Sequence, residues 1–293
     1  MIAGLQAKRV ALWATALLLA GLAISWGIGS LMVRGERQDV PPPPLPARDI
    51  RLRANDGVVL AGTYWPGSRP DAPGILLLHG LRSSRAAMAP TAAWLSAQGY
   101  GVLTIDFRGH GESATRDHSF GLEESRDAHA ALAWLKRCQH SAKVAVIGSS
   151  LGGAASLLSP AGPVPADALV LQAVYPDIRR AIRNRISARL TSIPAYALEP
   201  LLSFQSKPRF GVWPSELAPV EALRRFSGPV LVIGGVEDRY TPPDETRAMF
   251  DAARGPKSLL LVPGRGHAAM GNLDDRFSRE RVRIFLARTI GQP

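Results

Sequence analysis

A short apolar run that breaks into a glycine-bounded turn is the feature that most restricts how this chain can fold. Val144 to Ile147 is β-rich, which predicts a buried strand, and the small residues after the turn predict a helix. The turn reads Gly-Ser-Ser-Leu-Gly over 148–152. It fits G-x-S-x-G, which needs glycine on both sides because the turn is sharp and the neighbouring backbones pack closely. Ser150 is therefore the candidate nucleophile, whereas Ser149 lacks flanking glycines in the same register.

Predicted strands and helices alternate along most of the chain. Asn55-Asp56-Gly57 separates two β-rich runs within 48–64, which predicts a hairpin. Such alternation predicts an α/β fold with a mostly parallel sheet and helices on both faces. Sites in these sheets lie at the carboxyl ends of the strands. After the hairpin, the predicted strands are 74–78, 101–105, 143–147, 168–174, 229–233 and 258–262, and the predicted helices are 84–98, 123–137, 151–158, 244–253 and 275–289.

An uncharged apolar segment near the N-terminus is long enough to cross a bilayer. It runs from Val10 to Val33, which exceeds the roughly 20 residues that a membrane span needs. Lys8 and Arg9 precede it without a neighbouring acid, so the amino terminus is expected in the cytoplasm and the rest of the chain outside, facing the periplasm in a bacterium. The predicted organisation is a cytoplasmic N-terminus at 1–9, a transmembrane signal anchor at 10–33, a proline-rich linker at 34–47 and an α/β domain at 48–293.

Two parts of this organisation leave alternatives open. The N-terminal segment could instead be a cleaved signal peptide, since Gly27-Ile28-Gly29 offers small residues at a cleavage site. Its apolar run is longer than a usual signal peptide core, which favours an uncleaved anchor. The stretch 176–228 interrupts the strand–helix alternation with many prolines and aromatics. Ile178, Ile182 and Ile186 recur every fourth residue there, which predicts a helix, and we interpret the stretch as a lid over the site, with membrane contact as the alternative.

Composition narrows the classes of function. The 35 Lys and Arg against 24 Asp and Glu give a net charge of +11. The basic residues are scattered and form no nucleic-acid signature, so no nucleic-acid partner is expected. A positive surface facing anionic lipid is one explanation, and a generally basic proteome is another. Cys138 is the single cysteine, and the histidines form no H-E-x-x-H pattern, so neither a metal nor another cofactor is expected.

The candidate base and acid follow two later strands. Serine becomes a strong nucleophile only when an adjacent base takes its proton, and the base needs an acid to fix its tautomer. Asp238 comes just after the strand at 229–233, and His267 follows the strand at 258–262. Glu237 and Asp177 are the alternatives for the acid. The order Ser150, Asp238, His267 is the order of an α/β-hydrolase triad.

These motifs resemble the α/β-hydrolase superfamily over about 48–290, in particular lid-bearing serine hydrolases similar to monoacylglycerol lipases and serine aminopeptidases. Leu76-Leu77-Leu78-His79-Gly80 resembles the family's oxyanion-hole strand end. The resemblance implies that the backbone N–H groups of Leu81 and Leu151 form the oxyanion hole. The segment 106–113 resembles the family's D-x-R-G-H-G-x-S, which is usually architectural. His79 is expected to be structural.

The resemblance implies acyl transfer by a serine hydrolase that cleaves carboxylic esters, with lipid or acyl esters as the expected substrates. A peptidase of the same fold is the first alternative, and Glu199 or Glu216 in the lid could then hold a peptide terminus. A non-catalytic binding protein on a hydrolase fold is the second alternative, because fold does not fix function.

Overall fold

An eight-stranded sheet organises the fold. The computed structural model describes residues 2–140, 142–271 and 273–293. The spatial order of the strands is β1-β2-β4-β3-β5-β6-β7-β8, with β1 and β2 antiparallel to their neighbours and the remaining pairs parallel. This confirms the predicted hairpin and mostly parallel sheet. The strands are β1 Arg48–Arg53, β2 Val59–Trp65, β3 Gly74–Leu78, β4 Gly101–Ile105, β5 Val144–Ser149, β6 Ala168–Gln172, β7 Val230–Gly235 and β8 Lys257–Val262.

Helices cover both faces of the sheet, as a buried parallel sheet requires. Along β5, Val144 and Val146 enter one apolar cluster, while Ala145 and Ile147 enter the cluster on the opposite face. Successive residues of a strand point to opposite faces, so this split follows from the strand geometry. The helices of this layer are α2 Arg85–Ser96, α3 Glu124–Cys138, α4 Leu151–Ala155, α9 Pro243–Ala252 and α10 Arg276–Thr289.

A helical insertion between β6 and β7 occupies the stretch predicted as a lid. Its first helix is the one that the four-residue spacing of isoleucines predicts. Asp177 caps this helix by accepting a hydrogen bond from the backbone N–H of Arg180 at 2.9 Å. The insertion contains α5 Ile178–Ser187, α6 Ser192–Ser203, α7 Ser206–Phe210, a 3₁₀ turn Pro214–Glu216 and α8 Pro219–Leu223. We call this group of helices the lid.

The apolar N-terminal segment forms one long helix, α1 Ile2–Val33. Its portion Lys8–Val33 has a mean hydropathy of 2.0 and is long enough to span a membrane. The helix starts before the apolar stretch itself. Met1, in the predicted cytoplasmic segment 1–9, lies outside the described residues. From Val10 onward, most of the large apolar side chains of α1 are exposed, and its last turns contact the lid.

The segment after α1 follows the surface of the α/β domain in an extended conformation. The backbone N–H of Glu36 donates to the carbonyl of Gly109, and that of Gln38 donates to the carbonyl of Gly111, each at 2.9 Å. These contacts hold the first part of the proline-rich linker against the loop that follows β4.

Candidate active site

Ser150 occupies a strained turn at the carboxyl end of β5. Its φ of 47° and ψ of −107° lie where residues with a side chain are rarely found. Such a conformation costs of the order of 1–3 kcal/mol and persists only where the surroundings enforce it. The backbone N–H of Ser150 donates to the carbonyl of Gln172 on the neighbouring strand β6 at 2.8 Å, which holds the turn in place.

The two glycines of the turn are required by close backbone contacts. A Cβ atom on Gly148 would lie 2.6 Å from the backbone nitrogen of Gly153, and one on Gly152 would lie 2.3 Å from the carbonyl oxygen of Leu78. Both distances are shorter than any side chain tolerates. This is the physical reason for the G-x-S-x-G spacing that the sequence shows.

The structure brings Ser150, His267 and Asp238 into one hydrogen-bonded row. His267 begins a 3₁₀ turn, His267–Gly271, after β8, and Asp238 lies in the loop after β7. The Nδ1 of His267 is 2.8 Å from Oδ2 of Asp238, and its Nε2 is 3.3 Å from Oγ of Ser150. A carboxylate only accepts hydrogen bonds, so Nδ1 carries the proton and Nε2 is free to accept from the serine hydroxyl.

Backbone groups fix the orientation of Asp238. Its side chain is fully buried, and its Oδ1 accepts hydrogen bonds from the N–H groups of Tyr240 and Thr241, each at 2.8 Å. This arrangement leaves Oδ2 facing His267. This pair of donors cannot be predicted from the sequence, because loop geometry decides where backbone N–H groups point.

The two alternative acids lie elsewhere. Asp177 caps α5 and forms an ion pair with Arg180 at 3.3 Å. Glu237 is exposed to solvent, and its backbone N–H donates to the carbonyl of Arg265. Of the three candidate acids, Asp238 is therefore the one that contacts His267.

Leu81 and Leu151 flank the candidate nucleophile. Leu151 is the first residue of α4, so its N–H is among those that no helical carbonyl can satisfy. Leu81 follows Gly80, and a Cβ built on Gly80 would be 3.8 Å from Cβ of Ser150. The loop after β3 and the start of α4 therefore meet beside the serine side chain.

His79 shapes the loop that carries Leu81. Its Nε2 accepts a hydrogen bond from the N–H of Phe107 at 3.2 Å, so its Nδ1 carries the proton and donates to the carbonyl of Gly80 at 2.7 Å. Burial and the adjacent His110 lower the pKa of His79 to about 3. The ring stays neutral at ordinary pH and holds the loop, which agrees with the structural role expected for it.

The D-x-R-G-H-G-x-S segment forms buried polar networks next to this loop. Asp106 accepts hydrogen bonds from the backbone N–H and the guanidinium of Arg85. Arg108 forms ion pairs with Asp127 and Asp56, each at 2.7 Å. These partners occupy the charges of the segment, which fits its architectural interpretation.

One lid helix contacts the loop that carries Asp238. Asn184 of α5 donates to the carbonyl of Tyr240 at 3.1 Å, and the guanidinium of Arg185 lies over the Tyr240 ring, 5.3 Å from its centroid. The Tyr240 ring in turn meets the His267 ring edge to face, with the centroids 5.4 Å apart. This contact cannot be predicted from the sequence, because it depends on how the lid folds over the sheet.

The described residues contain no cluster of three or more His, Cys, Asp and Glu side chains that could hold a metal ion. The polar groups around Ser150 are instead the histidine, the carboxylate and backbone N–H groups. A serine on a strained turn, paired with a histidine and a buried aspartate at the carboxyl ends of parallel strands, defines a protein of the α/β-hydrolase type.

Comparison with known proteins places the chain within that class. A model of the alpha/beta hydrolase family matches residues 75–280, and the chain belongs to this family. An uncharacterized protein of Mycobacterium tuberculosis strain H37Rv is 32% identical over 249 residues, which cover 84% of this chain and 81% of that protein. Human Protein ABHD12B is 29% identical over 219 residues, which cover 70% of this chain and 58% of the human protein.

The solved structures that resemble the chain include an esterase. The esterase Pf2001 of Pyrococcus furiosus superposes with a TM-score of 0.69 at 25% sequence identity, covering 89% of this chain and 99% of that chain. An alpha/beta hydrolase from Penicillium sp. sh18, GrgF, superposes with a TM-score of 0.64 at 21% identity, which reflects the shared fold. The chain is therefore an esterase-like member of the alpha/beta hydrolase family.

Proposed function

We propose that the protein is a membrane-anchored serine hydrolase that cleaves carboxylic esters through an acyl-enzyme intermediate. The observation that carries the proposal is the continuous contact from Ser150 through His267 to Asp238, with distances of 3.3 and 2.8 Å. Serine needs this arrangement of base and orienting acid to attack a carbonyl carbon.

In the acylation step, Oγ of Ser150 forms a bond to the carbonyl carbon of the ester while its proton passes to Nε2 of His267. The carbonyl oxygen becomes an oxyanion that accepts hydrogen bonds from the N–H groups of Leu81 and Leu151. The bond to the leaving alcohol then breaks, and His267 returns the proton to the alcohol oxygen. Each oxyanion donor of this kind is worth about 2.7–4 kcal/mol in other enzymes.

In the deacylation step, His267 takes a proton from water, and the hydroxide attacks the acyl carbon. The bond to Oγ breaks, the serine regains its proton from His267, and a carboxylic acid leaves. Asp238 stabilises the imidazolium in both steps, and its two backbone donors keep it oriented.

One of the two lid carboxylates that could hold a peptide amino terminus is already paired. Glu199, which could hold a peptide amino terminus, is already paired with Arg179 through hydrogen bonds of 3.0 and 3.2 Å. Glu216 accepts a hydrogen bond from the N–H of Trp213 at 2.7 Å. The guanidinium of Arg179 thus compensates the charge of Glu199, whereas Glu216 is exposed to solvent and stays available to a free amine.

The N-terminal helix supports the anchored form of the protein over a cleaved one. Ser25 and Gly29 of α1 are buried against the lid, so cleavage near Gly27 would remove Ser25 and its contacts with the lid. With Lys8 and Arg9 in the cytoplasm, the catalytic domain would lie on the extracytoplasmic side of the membrane.

A substrate panel tests the reaction type. The full-length protein in detergent micelles should hydrolyse p-nitrophenyl acyl esters and leave aminoacyl anilides intact, and Ser150→Ala should remove the ester activity. Faster cleavage of the anilides would favour the peptidase. Absence of both activities in folded protein would favour a binding role.

A further inference from the structure

The end of α1 is docked onto the lid by polar contacts. The hydroxyl of Ser25 donates to the carbonyl of Leu201 at 2.9 Å, and Nε2 of Gln205 donates to the carbonyl of Ser25 at 3.0 Å. The guanidinium of Arg209 donates to the carbonyl of Trp26 and lies over its ring, 3.9 Å from the centroid. Polar contacts between helices that are otherwise apolar fix how far α1 can rotate or slide.

Small residues let α1 and the lid approach closely. Ser25 and Gly29 are four residues apart and share one face of the helix. A Cβ on Gly29 would lie 2.0 Å from Oε1 of Gln205, so a side chain at this point would displace the Gln205 amide that bonds to Ser25. The lid and the end of the membrane helix therefore form one packed unit.

A cleft lies between this unit and the α/β domain. The N-terminal helix, the lid and the core each contribute to its walls, and most of the lining is apolar. Its free volume is about 30 Å³, which is narrow, so a chain can enter only when flexible side chains move aside. Methionine is suited to such adjustment because it is unbranched. The apolar lining includes Met32, Val33, Phe120, Ile178, Ile182 and Leu202.

The cleft borders the same apolar core as the two loops at the candidate oxyanion hole. Phe120 and Ile178 of the cleft belong to the same hydrophobic cluster as Leu81 and Leu151.

The end of α1 also touches the loop that carries Leu81. The guanidinium of Arg82 donates to the carbonyl of Leu31 at 3.0 Å. Met32, the next residue of α1, lines the cleft. The wall of the cleft that α1 supplies is thus held against the loop at the candidate nucleophile.

The lid exposes apolar side chains on the helix that contacts α1. Ile193 is 82% exposed and Tyr196 is 66% exposed, both on α6, the lid helix that contacts α1. Neighbouring large apolar side chains exposed together mark an interaction surface, and a helix of this kind suits the bilayer interface. The guanidinium of Arg183 lies over the Tyr196 ring, 4.9 Å from its centroid, where it could meet lipid phosphates. Hydrocarbon chains in the bilayer would then reach the cleft along α1.

From these contacts we infer that the N-terminal helix is part of the substrate site as well as an anchor. Met32 and Val33 form one wall of an acyl-chain cleft, contact the hydrocarbon chain of a lipid ester and limit the chain length that the enzyme accepts. This inference rests on the proposed ester hydrolysis, and it assigns to α1 a share in substrate selection.

Paired substitutions on adjacent residues of α1 test this inference in the full-length protein. Met32→Trp fills the cleft, whereas Leu31→Trp places the same ring at a residue whose side chain is 64% exposed, and leaves its carbonyl in place. We expect Met32→Trp to lower kcat/KM for p-nitrophenyl palmitate by about tenfold, equivalent to about 1.4 kcal/mol, and to change the value for butanoate by less than about twofold. Leu31→Trp should leave both values unchanged.

A second variant, Met32→Ala, keeps the inference testable if Met32→Trp does not fold. Met32→Ala widens the cleft and should raise the ratio of palmitate to butanoate hydrolysis, opposite to the effect of Met32→Trp. Equal chain-length profiles in the parent and both Met32 variants would overturn the inference, as would an equal shift in Leu31→Trp.

Fluorophosphonate labelling of the same samples separates this inference from the proposed function. Unchanged chain-length profiles in proteins that label at Ser150 would remove the role of α1 and leave the serine hydrolase intact. A folded parent that neither labels nor hydrolyses esters would remove both.

Discussion

Backbone donors around Asp238 determine what happens when this carboxylate is replaced. In Asp238→Asn, the N–H groups of Tyr240 and Thr241 would still need an acceptor, so the amide oxygen would face them and the NH₂ group would face His267. The Nδ1 of His267 would then have to accept, and its proton would move to Nε2, where the ring can no longer take the proton of Ser150. We expect kcat to fall by about 10⁴-fold. Ester hydrolysis measures the loss, and circular dichroism should show an unchanged fold; nearly full activity would mean that another acid orients His267.

The glycines of the nucleophile turn contribute to the stability of the fold. Gly152→Ala would push Cβ to 2.3 Å from the carbonyl oxygen of Leu78 and force α4 away from β3. We expect the free energy of unfolding to fall by about 1–3 kcal/mol or more. Gly80→Ala is the matched control, because its Cβ would meet its nearest neighbours at an ordinary 3.8 Å. Denaturant unfolding of both variants makes the comparison, and equal stabilities would show that the turn is not closely packed.

Most residues of the candidate site could be found from the sequence because they follow strands. Ser150, Asp238 and His267 each lie in a short loop after an apolar strand, and a parallel sheet brings such loops to one edge. The roles of Tyr240 and Thr241 could not be found in the same way. Their contribution is made by the backbone, and only the folded loop shows where a backbone N–H points.

At the scale of elements, the contact between α5 and α9 makes stability depend on pH. Glu245 of α9 accepts a hydrogen bond from Asn184 of α5 at 2.9 Å, and burial raises its pKa from 4.5 to about 7. The folded state therefore holds the proton more tightly than the unfolded state. The stability that this proton confers is complete below about pH 4.5 and is lost as the pH rises through about 7.

Substitution of Glu245 tests this dependence. Glu245→Gln stays neutral and keeps an oxygen for Asn184, so it removes the penalty of ionisation. We expect the Tm of the variant, relative to the parent, to be higher at about pH 8 than at about pH 5. A thermal melt at several pH values measures it, and a Tm difference that is the same across the range would contradict the account.

The lid shows which elements a sequence pattern can predict. Isoleucines spaced four residues apart predict the helix α5, because one face of this helix is buried and the other meets water. The helix α6 gives no such pattern. It has buried Ala195 and Glu199 on one side, yet it exposes Ile193 and Tyr196 on the other. Hydrophobic periodicity assumes that the outer face meets water, and it fails where that face is apolar.

For the whole molecule, the orientation of α1 decides where the catalytic domain lies. Lys8 and Arg9 precede the apolar helix, so we expect the carboxyl terminus outside the cytoplasm. In a bacterial host, alkaline phosphatase fused after Pro293 should be active and a fluorescent protein that matures only in the cytoplasm should be dark. Replacing Lys8 and Arg9 by Glu is the control, and should weaken this preference. Fluorescence of the fusion to the unchanged protein would place the carboxyl terminus in the cytoplasm and would contradict this topology.

The packing of α1 against the lid is the largest feature that the sequence could not predict. An apolar segment indicates a membrane helix from its composition alone, and its partners are set by distant residues such as Gln205 and Arg209. The role of Ser25 and Gly29 becomes apparent only in the folded structure, where both contact Gln205 of the lid. The same contacts hold α1 against the lid.

Labelling with a fluorophosphonate tests the central claim most directly, because the reagent reacts with an activated serine whatever the natural substrate. The full-length protein should label, Ser150→Ala should not, and His267→Ala should label at least about a hundredfold more slowly because Ser150 has lost its base. Circular dichroism should show that all three proteins are folded. A folded parent that stays unlabelled, or labelling that persists in Ser150→Ala, would contradict the assignment of Ser150 as the nucleophile.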